Sequence, residues 1–388
     1  RYRYVILLLV CLCGLSTCYS QFQLSPLANE IMRRYGLTSI QFSSVFSAPM
    51  VPAVFLSIAA GIIMDMTGPK KMVTFGLLIG AIGLTIRCGA KTYALFYIAM
   101  LCPGFAATFV NATNAKIFEY WFPIKQVSVA VGVFLAASSF GMVLGTGTTA
   151  MLPSVQVAFI IAAVLTYLVL VLWMLFMREP VHGTKTEVPE RPKLRECLAV
   201  VLKNKDVIVA SICILCTFGA YMVLSTFLPS ALASRGISSV QSGMMASMVS
   251  VGYLAGCIAV PIIINKTGGF RVPVMLLALA GALLAAFSWQ AGNNVLATAG
   301  LMAAGFSLGG LLPLFMSLPI KLNAIGGKYA GTAGGLISTM QLLGAVIVPT
   351  YIVAPVAGDS FELMFILAGV CAGLVCVFSF FFSRETEH

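Results

Sequence analysis

Gly61-Ile-Ile-Met-Asp-Met-Thr-Gly-Pro-Lys-Lys71 sets one acid, two glycines and two lysines between long apolar runs. Gly68 and Pro69 read as a tight turn. Lys70 and Lys71 mark the cytoplasmic face of a membrane, where basic residues accumulate. Asp65 falls at a helix end, where it can meet a cation or the positively polarised N-terminus of a neighbouring helix. Gly61 permits close helix approach near the membrane surface.

Outward from this loop the chain is apolar in both directions. Of 388 residues, 60% are hydrophobic and 9% charged, whereas soluble domains carry about 25% charged residues. Too little polar surface remains to cover a water-soluble globule. Twelve charge-poor runs stand out, over 4–32, 41–65, 72–89, 92–120, 125–151, 154–177, 206–233, 239–265, 271–290, 294–320, 328–356 and 360–383. Most meet the ~20 residues that a helix needs to cross a bilayer, and none alternates as barrel strands do. The fold class is therefore all-α integral membrane, with twelve transmembrane helices in two six-helix bundles. The bundles are expected over 1–178 and 206–388, joined by a charged, proline-rich cytoplasmic linker over 179–205 that ends in a short surface helix.

The net charge of +11 is a topology signal. With both termini inside, the outer side holds only Arg33, Arg34, Arg87, Lys91 and Arg235 among the 23 basic residues. No nucleic-acid partner is needed to explain the excess. The eleven cysteines lie mostly inside apolar runs. Cys213 and Cys216 have redox spacing but read as small packing residues. The first apolar run is too long for the core of a cleaved signal. The halves also repeat. Asp65-Met-Thr-Gly68-Pro-Lys-Lys71 is matched by Asn265-Lys-Thr-Gly268-Gly-Phe-Arg271, and Gly132 and Gly141 of the fifth span by Gly335 and Gly344 of the eleventh. Parallel repeats of this kind place the solute near the midplane between two rocking halves.

The G-x-x-x-D-x-x-G-x-[KR]-[KR] pattern of Gly61, Asp65, Gly68, Lys70 and Lys71 resembles the signature loop of the major facilitator superfamily. The degenerate copy, the linker and the twelve spans extend that resemblance over the whole chain. The resemblance implies that the loop is a latch holding the halves together when the outer side is open. That role passes to Asp65, Gly68 and Lys71, with Gly61 and Lys70 completing the motif; the two lysines can also be plain markers of the inner face. Lys116 and Glu119, one turn apart, read as a structural pair or a gate contact. The fourth span departs from the family in lacking the arginine that often serves proton coupling. Arginines expected in the second and eighth spans of nitrate-like carriers are also missing, which argues against a highly charged anion.

Residues suited to binding are neutral or aromatic. They are Tyr19, Phe22 and Gln23 in the first span, Thr108 and Asn111 in the fourth, and Ser138 with Ser139 in the fifth. The seventh offers Tyr221 and Ser225, the eighth Ser250 and Tyr253, and the eleventh Ser338 and Gln341. Amides are costly in hydrocarbon unless satisfied, so Gln23, Asn111 and Gln341 should face the interior, as solute contacts or as interhelical ties. GLTIRCG at 83–89, Asn111 and the WFP at 121–123 resemble cyanate/nitroimidazole-type porters. YSQFQLSPLANEIMRRYG at 19–36, the WFP and Gln341 resemble haem/choline carriers related to the feline leukaemia virus C receptor. That second resemblance implies an aromatic, glutamine-lined site for an organic cation, although the fourth-span glutamine of those carriers is missing.

The chain thus reads as a non-enzymatic secondary transporter of a small organic solute in the cell membrane. All twelve acids fall at span ends or in loops, which favours facilitated diffusion or exchange over a proton relay. The alternatives are a proton-coupled symporter of a small organic anion, working through Glu30 or Glu119, a transporter-like receptor, and a channel. No GxxxxGK[ST] nucleotide loop occurs. No cofactor, catalytic group or metal site is expected, and the partners are the solute and the lipid bilayer around a monomer.

Overall fold

The computed structural model describes residues 2–56, 60, 67–178, 194–267, 269–322 and 325–383. Every regular element among them is helical, and twelve helices are long and apolar enough to cross a membrane. The first half contains α1 (Tyr2–Phe22), α2 (Ala28–Tyr35), α3 (Ser39–Ser47), α4 (Pro69–Gly89), α5 (Tyr93–Trp121), α6 (Ile124–Thr148) and α7 (Val155–Phe176). A short amphipathic α8 (Leu194–Lys203) precedes α9 (Lys205–Ser234), α10 (Ser239–Thr267), α11 (Arg271–Phe287) and α12 (Asn294–Lys321). The chain closes with α13 (Gly326–Ile347), a π turn over Val348–Val353, α14 (Ala354–Ala357) and α15 (Phe361–Ser379).

Short polar residues start several of these helices. Thr92, Ser154 and Ser360 each accept from the backbone N–H three residues on, satisfying a donor that the first turn leaves open. Thr38 and Gln41 form a reciprocal capping box at the start of α3. Proline sits where the regular pattern gives way: Pro349 is the second residue of the π turn and Pro355 follows it in α14.

The first span departs from the sequence expectation. A continuous helix over 4–32 is not formed; α1 ends at Phe22 and α2 begins at Ala28. Pro26 has no N–H to give to a helical carbonyl. The backbone tightens ahead of it, with Leu24 donating to Gln21 O and Ser25 to Phe22 O. These three-residue steps bypass the Ser20 carbonyl, which a continuing helix would have bonded to Leu24.

The chain forms two compact units. One comprises Arg1–His182 with Thr226–Ser247, the other Gly183–Ser225 with Met248–His388. In the first, α1 packs on α6, and α4 on α5 and α7. Ile6, Val10, Val73, Val110, Phe134 and Trp173 belong to one buried cluster there. In the second, α11 packs on α12 and α15.

The repeat seen in the sequence reappears as matched packing within each unit. A Cβ on Gly141 of α6 would fall on the Leu15 carbonyl of α1. A Cβ on Gly344 of α13 would fall on the Leu215 carbonyl of α9. Each glycine lets two backbones approach where any side chain would hold them apart. The third and sixth spans of each half are tied at one end as well. Trp173 Nε1 donates to Lys70 O at 3.3 Å, and the Arg271 guanidinium donates to Phe382 O.

Candidate functional site

In the first unit, α1 delivers its candidates at the point where it breaks. Tyr19 and Phe22 are buried, and the Phe22 ring meets Phe46 edge-on at 5.5 Å. Gln23 is fully buried and both ends of its amide are engaged. Its Nε2 donates to Ala158 O at 3.0 Å, and its Oε1 accepts from Arg87 Nη2.

Arg87 departs from the place that charge counting assigns it. It falls among the basic groups of the outer face by sequence, yet it is fully buried. Nη1 donates to Ser20 O at 2.9 Å and faces Met100 Sδ at 3.6 Å. The guanidinium lies 4.3 Å from the centroid of the Phe159 ring, and its Nε–H has no partner. No carboxylate among the described residues touches it. Its counter-charge is partial and comes from the backbone. Ser20 O belongs to the last turn of α1, and Arg87 itself occupies the last turn of α4. A cation at a helix C-terminus is favoured by up to about 2 kcal/mol when partly buried, and a desolvated aromatic face adds about as much. One signal pointed here: Arg87 and Gln23 both lie inside predicted spans.

The first unit's hydroxyls turn back on their own helices. Thr108 Oγ1 donates to Gly104 O at 2.7 Å, and Ser138 Oγ to Phe134 O at 3.0 Å. Ser139 is buried, whereas Asn111 is exposed.

The second unit gathers an aromatic group from α9 and α10. The Tyr221 ring lies 4.4 Å from Tyr253 and 5.7 Å from Phe218, centroid to centroid. Tyr221 is fully buried, and its hydroxyl is bonded to Ser250 Oγ at 3.2 Å. Ser225, Tyr253, Ser338 and Gln341 are half-buried. Ser338 Oγ faces Met316 Sδ at 3.7 Å. The structure thus joins Tyr221 to Tyr253 within one cluster, and joins Gln23 to Arg87 in another.

Of the latch residues, Gly61 and Asp65 lie outside the described residues. Gly68 holds φ at 82°, the left-handed value that glycine tolerates, and Pro69 opens α4 behind it. Lys70 and Lys71 border a shallow apolar depression with Phe75, Leu78 and Met174. Lys116 is half-buried and Glu119 exposed at the end of α5.

A polar depression of about 360 Å³ lies at the other end of the first unit. Asn29, Glu30 and Arg33 of α2 line it, together with Ser154, Ser230 and Ser239. Both charges are exposed. Ser25 Oγ reaches Thr226 O at 3.5 Å, so the break in the first span also touches the Thr226–Ser247 segment.

Comparison with known proteins agrees with this architecture. The family model described as Major Facilitator Superfamily matches residues 10–349. The chain is 24% identical to the "Probable sulfoacetate transporter SauU" of Cupriavidus necator, over 98% of this chain and 93% of that protein. It is 21% identical to the "Choline/ethanolamine transporter FLVCR1" of Felis catus, over 95% of this chain and 71% of that protein. Among solved structures, the nucleoside transporter NupG superposes with a TM-score of 0.78 at 16% identity, covering all of both chains.

Proposed function

The chain belongs to the major facilitator superfamily, and on that premise we propose that it carries a small organic solute across the cell membrane by alternating access. The bundles of this reading are 1–178 and 206–388, with the termini and the 179–205 linker on the cytoplasmic side and the monomer as the working unit. Support for a small polar solute comes from the relatives, whose names give sulfoacetate for one and choline or ethanolamine for another.

Transport runs as facilitated diffusion or exchange. The observation that carries this is the placement of the described acids. Glu30, Glu119, Asp359 and Glu362 are exposed near helix ends. Asp206 is buried only where it accepts from the N–H and Oγ of Ser383, each at 2.7 Å. None sits at mid-span, where a proton relay is ordinarily built. Purified protein in liposomes is expected to show counterflow of a labelled solute that persists when the proton gradient is collapsed. Binding without counterflow identifies a receptor instead.

Proton-linked symport is the second reading, and Glu30 gives it substance. This carboxylate lines the polar depression opposite serines, with Arg33 one turn away. Loss of uptake under a protonophore, together with the same loss in Glu30→Gln, selects symport over exchange.

A further inference from the structure

We propose that Arg87 is a positioning residue for transport: it pins the interrupted first span, and the pin must slip each time the face carrying α2 opens. This deepens the carrier reading and rests on it.

The break over Gln23–Leu27 leaves the end of α1 with four carbonyls to satisfy, as any helix end does. Three find backbone donors: Tyr19 O takes Gln23 N, Gln21 O takes Leu24 N, and Phe22 O takes Ser25 N. The fourth, Ser20 O, is taken by Arg87. The same guanidinium holds the first side chain beyond the helix, Gln23, which in turn grips α7 through Ala158 O. One buried cation therefore spans the break, with one nitrogen on the helix and another on the segment that succeeds it. That segment leads directly into α2, whose Asn29, Glu30 and Arg33 line the polar depression with Ser230 and Ser239 of the same unit.

The choice of partner fits a tie made to be broken. A glutamate at 23 would give a buried ion pair, whose separation strands two charges away from water. Glutamine offers a bond assisted by one charge only, stronger than a neutral bond but short of an ion pair. Arg87 also keeps Nε–H unpartnered, a donor in reserve when Nη2 lets go. A guanidinium with several fixed donors can hold two acceptors at once, which an ammonium cannot do in the same geometry.

The experiment reads the accessibility of α2 directly. Ala28→Cys, at a buried position of α2 in the pinned state, is labelled with a membrane-impermeant maleimide in the full-length carrier, beside solute affinity and initial uptake rate. Gln23→Glu should slow labelling and uptake by about tenfold, the factor set by 1.4 kcal/mol of added tie strength, with solute affinity changed less than about twofold. Gln23→Ala should accelerate labelling, and Arg87→Lys should fall between it and the parent. A role in packing alone predicts lower melting temperatures in all three variants with labelling unchanged, and that result overturns the proposal. So does Gln23→Glu labelling as fast as Gln23→Ala. Labelling needs no transported solute, so a failed carrier reading shows as absent counterflow while the pin is judged separately on maleimide rates.

Discussion

Alanine at four glycines separates the packing argument from simple helix propensity. Gly132 and Gly141 lie in α6, and Gly335 and Gly344 in α13. A Cβ meets nothing within 4 Å at Gly132 or Gly335. At Gly141 and Gly344 it lands on the backbone carbonyls of Leu15 and Leu215, which cannot rotate away as a side-chain tip would. Glycine to alanine favours a helix interior by about 1 kcal/mol, and that gain is common to all four positions. Overpacking a close contact costs about 1–3 kcal/mol. The difference between the two positions within each helix is then the steric cost alone, about 1–3 kcal/mol. For a chain of this size 1 kcal/mol moves the midpoint by about 2 °C. Gly141→Ala and Gly344→Ala should thus melt about 2–6 °C below Gly132→Ala and Gly335→Ala. Apparent melting temperatures in detergent at one scan rate suffice, because unfolding of such proteins is often irreversible and only the ranking is used. Equal melting of the paired variants refutes the close-approach argument. A gap in one helix only refutes the equivalence of the two repeats.

Asp206→Ala should lower stability by about 1.5–3 kcal/mol, because it removes hydrogen bonds made to a charged acceptor; adding Ser383→Ala should cost less than the sum, read as a thermal double-mutant cycle. Thr108→Val and Ser138→Ala should leave solute affinity within about twofold, since both hydroxyls are spent on their own helices, whereas Asn111→Ala or Gln341→Ala should weaken it about tenfold, the usual worth of one lost charge-assisted or well-placed hydrogen bond. Isothermal titration of purified protein decides between them, and equal effects would move the site elsewhere. Asp65→Asn should slow uptake while sparing binding, as expected of a latch; equal loss of both in paired uptake and binding assays removes that role.

The spans were legible because a run of about 20 apolar residues has few other fates, and the twelve helices fall where the runs do. The matched glycines were legible too, and two of the four proved to sit at backbone contacts. The break in the first span was harder to read. Pro26 announced a disturbance, but where a helix stops before a proline depends on which partner takes the released carbonyls. Hydroxyls are ambiguous for a related reason: serine and threonine inside helices commonly bond back to the preceding turn, as Thr108 and Ser138 do, and nothing in a single sequence separates those from residues that reach outward.

Arg87 was missed because charge counting treats an arginine near a span end as a marker of the membrane surface. In this chain the buried Arg87 and Asp206 and the half-buried Arg271 obey another rule. Arg87 ends on Ser20 O, Arg271 on Phe382 O, and Asp206 on Ser383 N. Each meets a backbone group at or just beyond the end of another helix, where the regular ladder runs out. With only 9% charged residues, the sequence offers few opposite charges to pair with, while every helix end offers polarised N–H or C=O groups without cost in composition. The signal to seek is a charged residue within one turn of its own helix end, on a helix that packs against another helix end or break. Burial separates Arg87, Asp206 and Arg271 from the solvent-facing charges Glu30, Arg33 and Glu119, and substitution of the first three should disturb the folded chain where substitution of Glu119 does not.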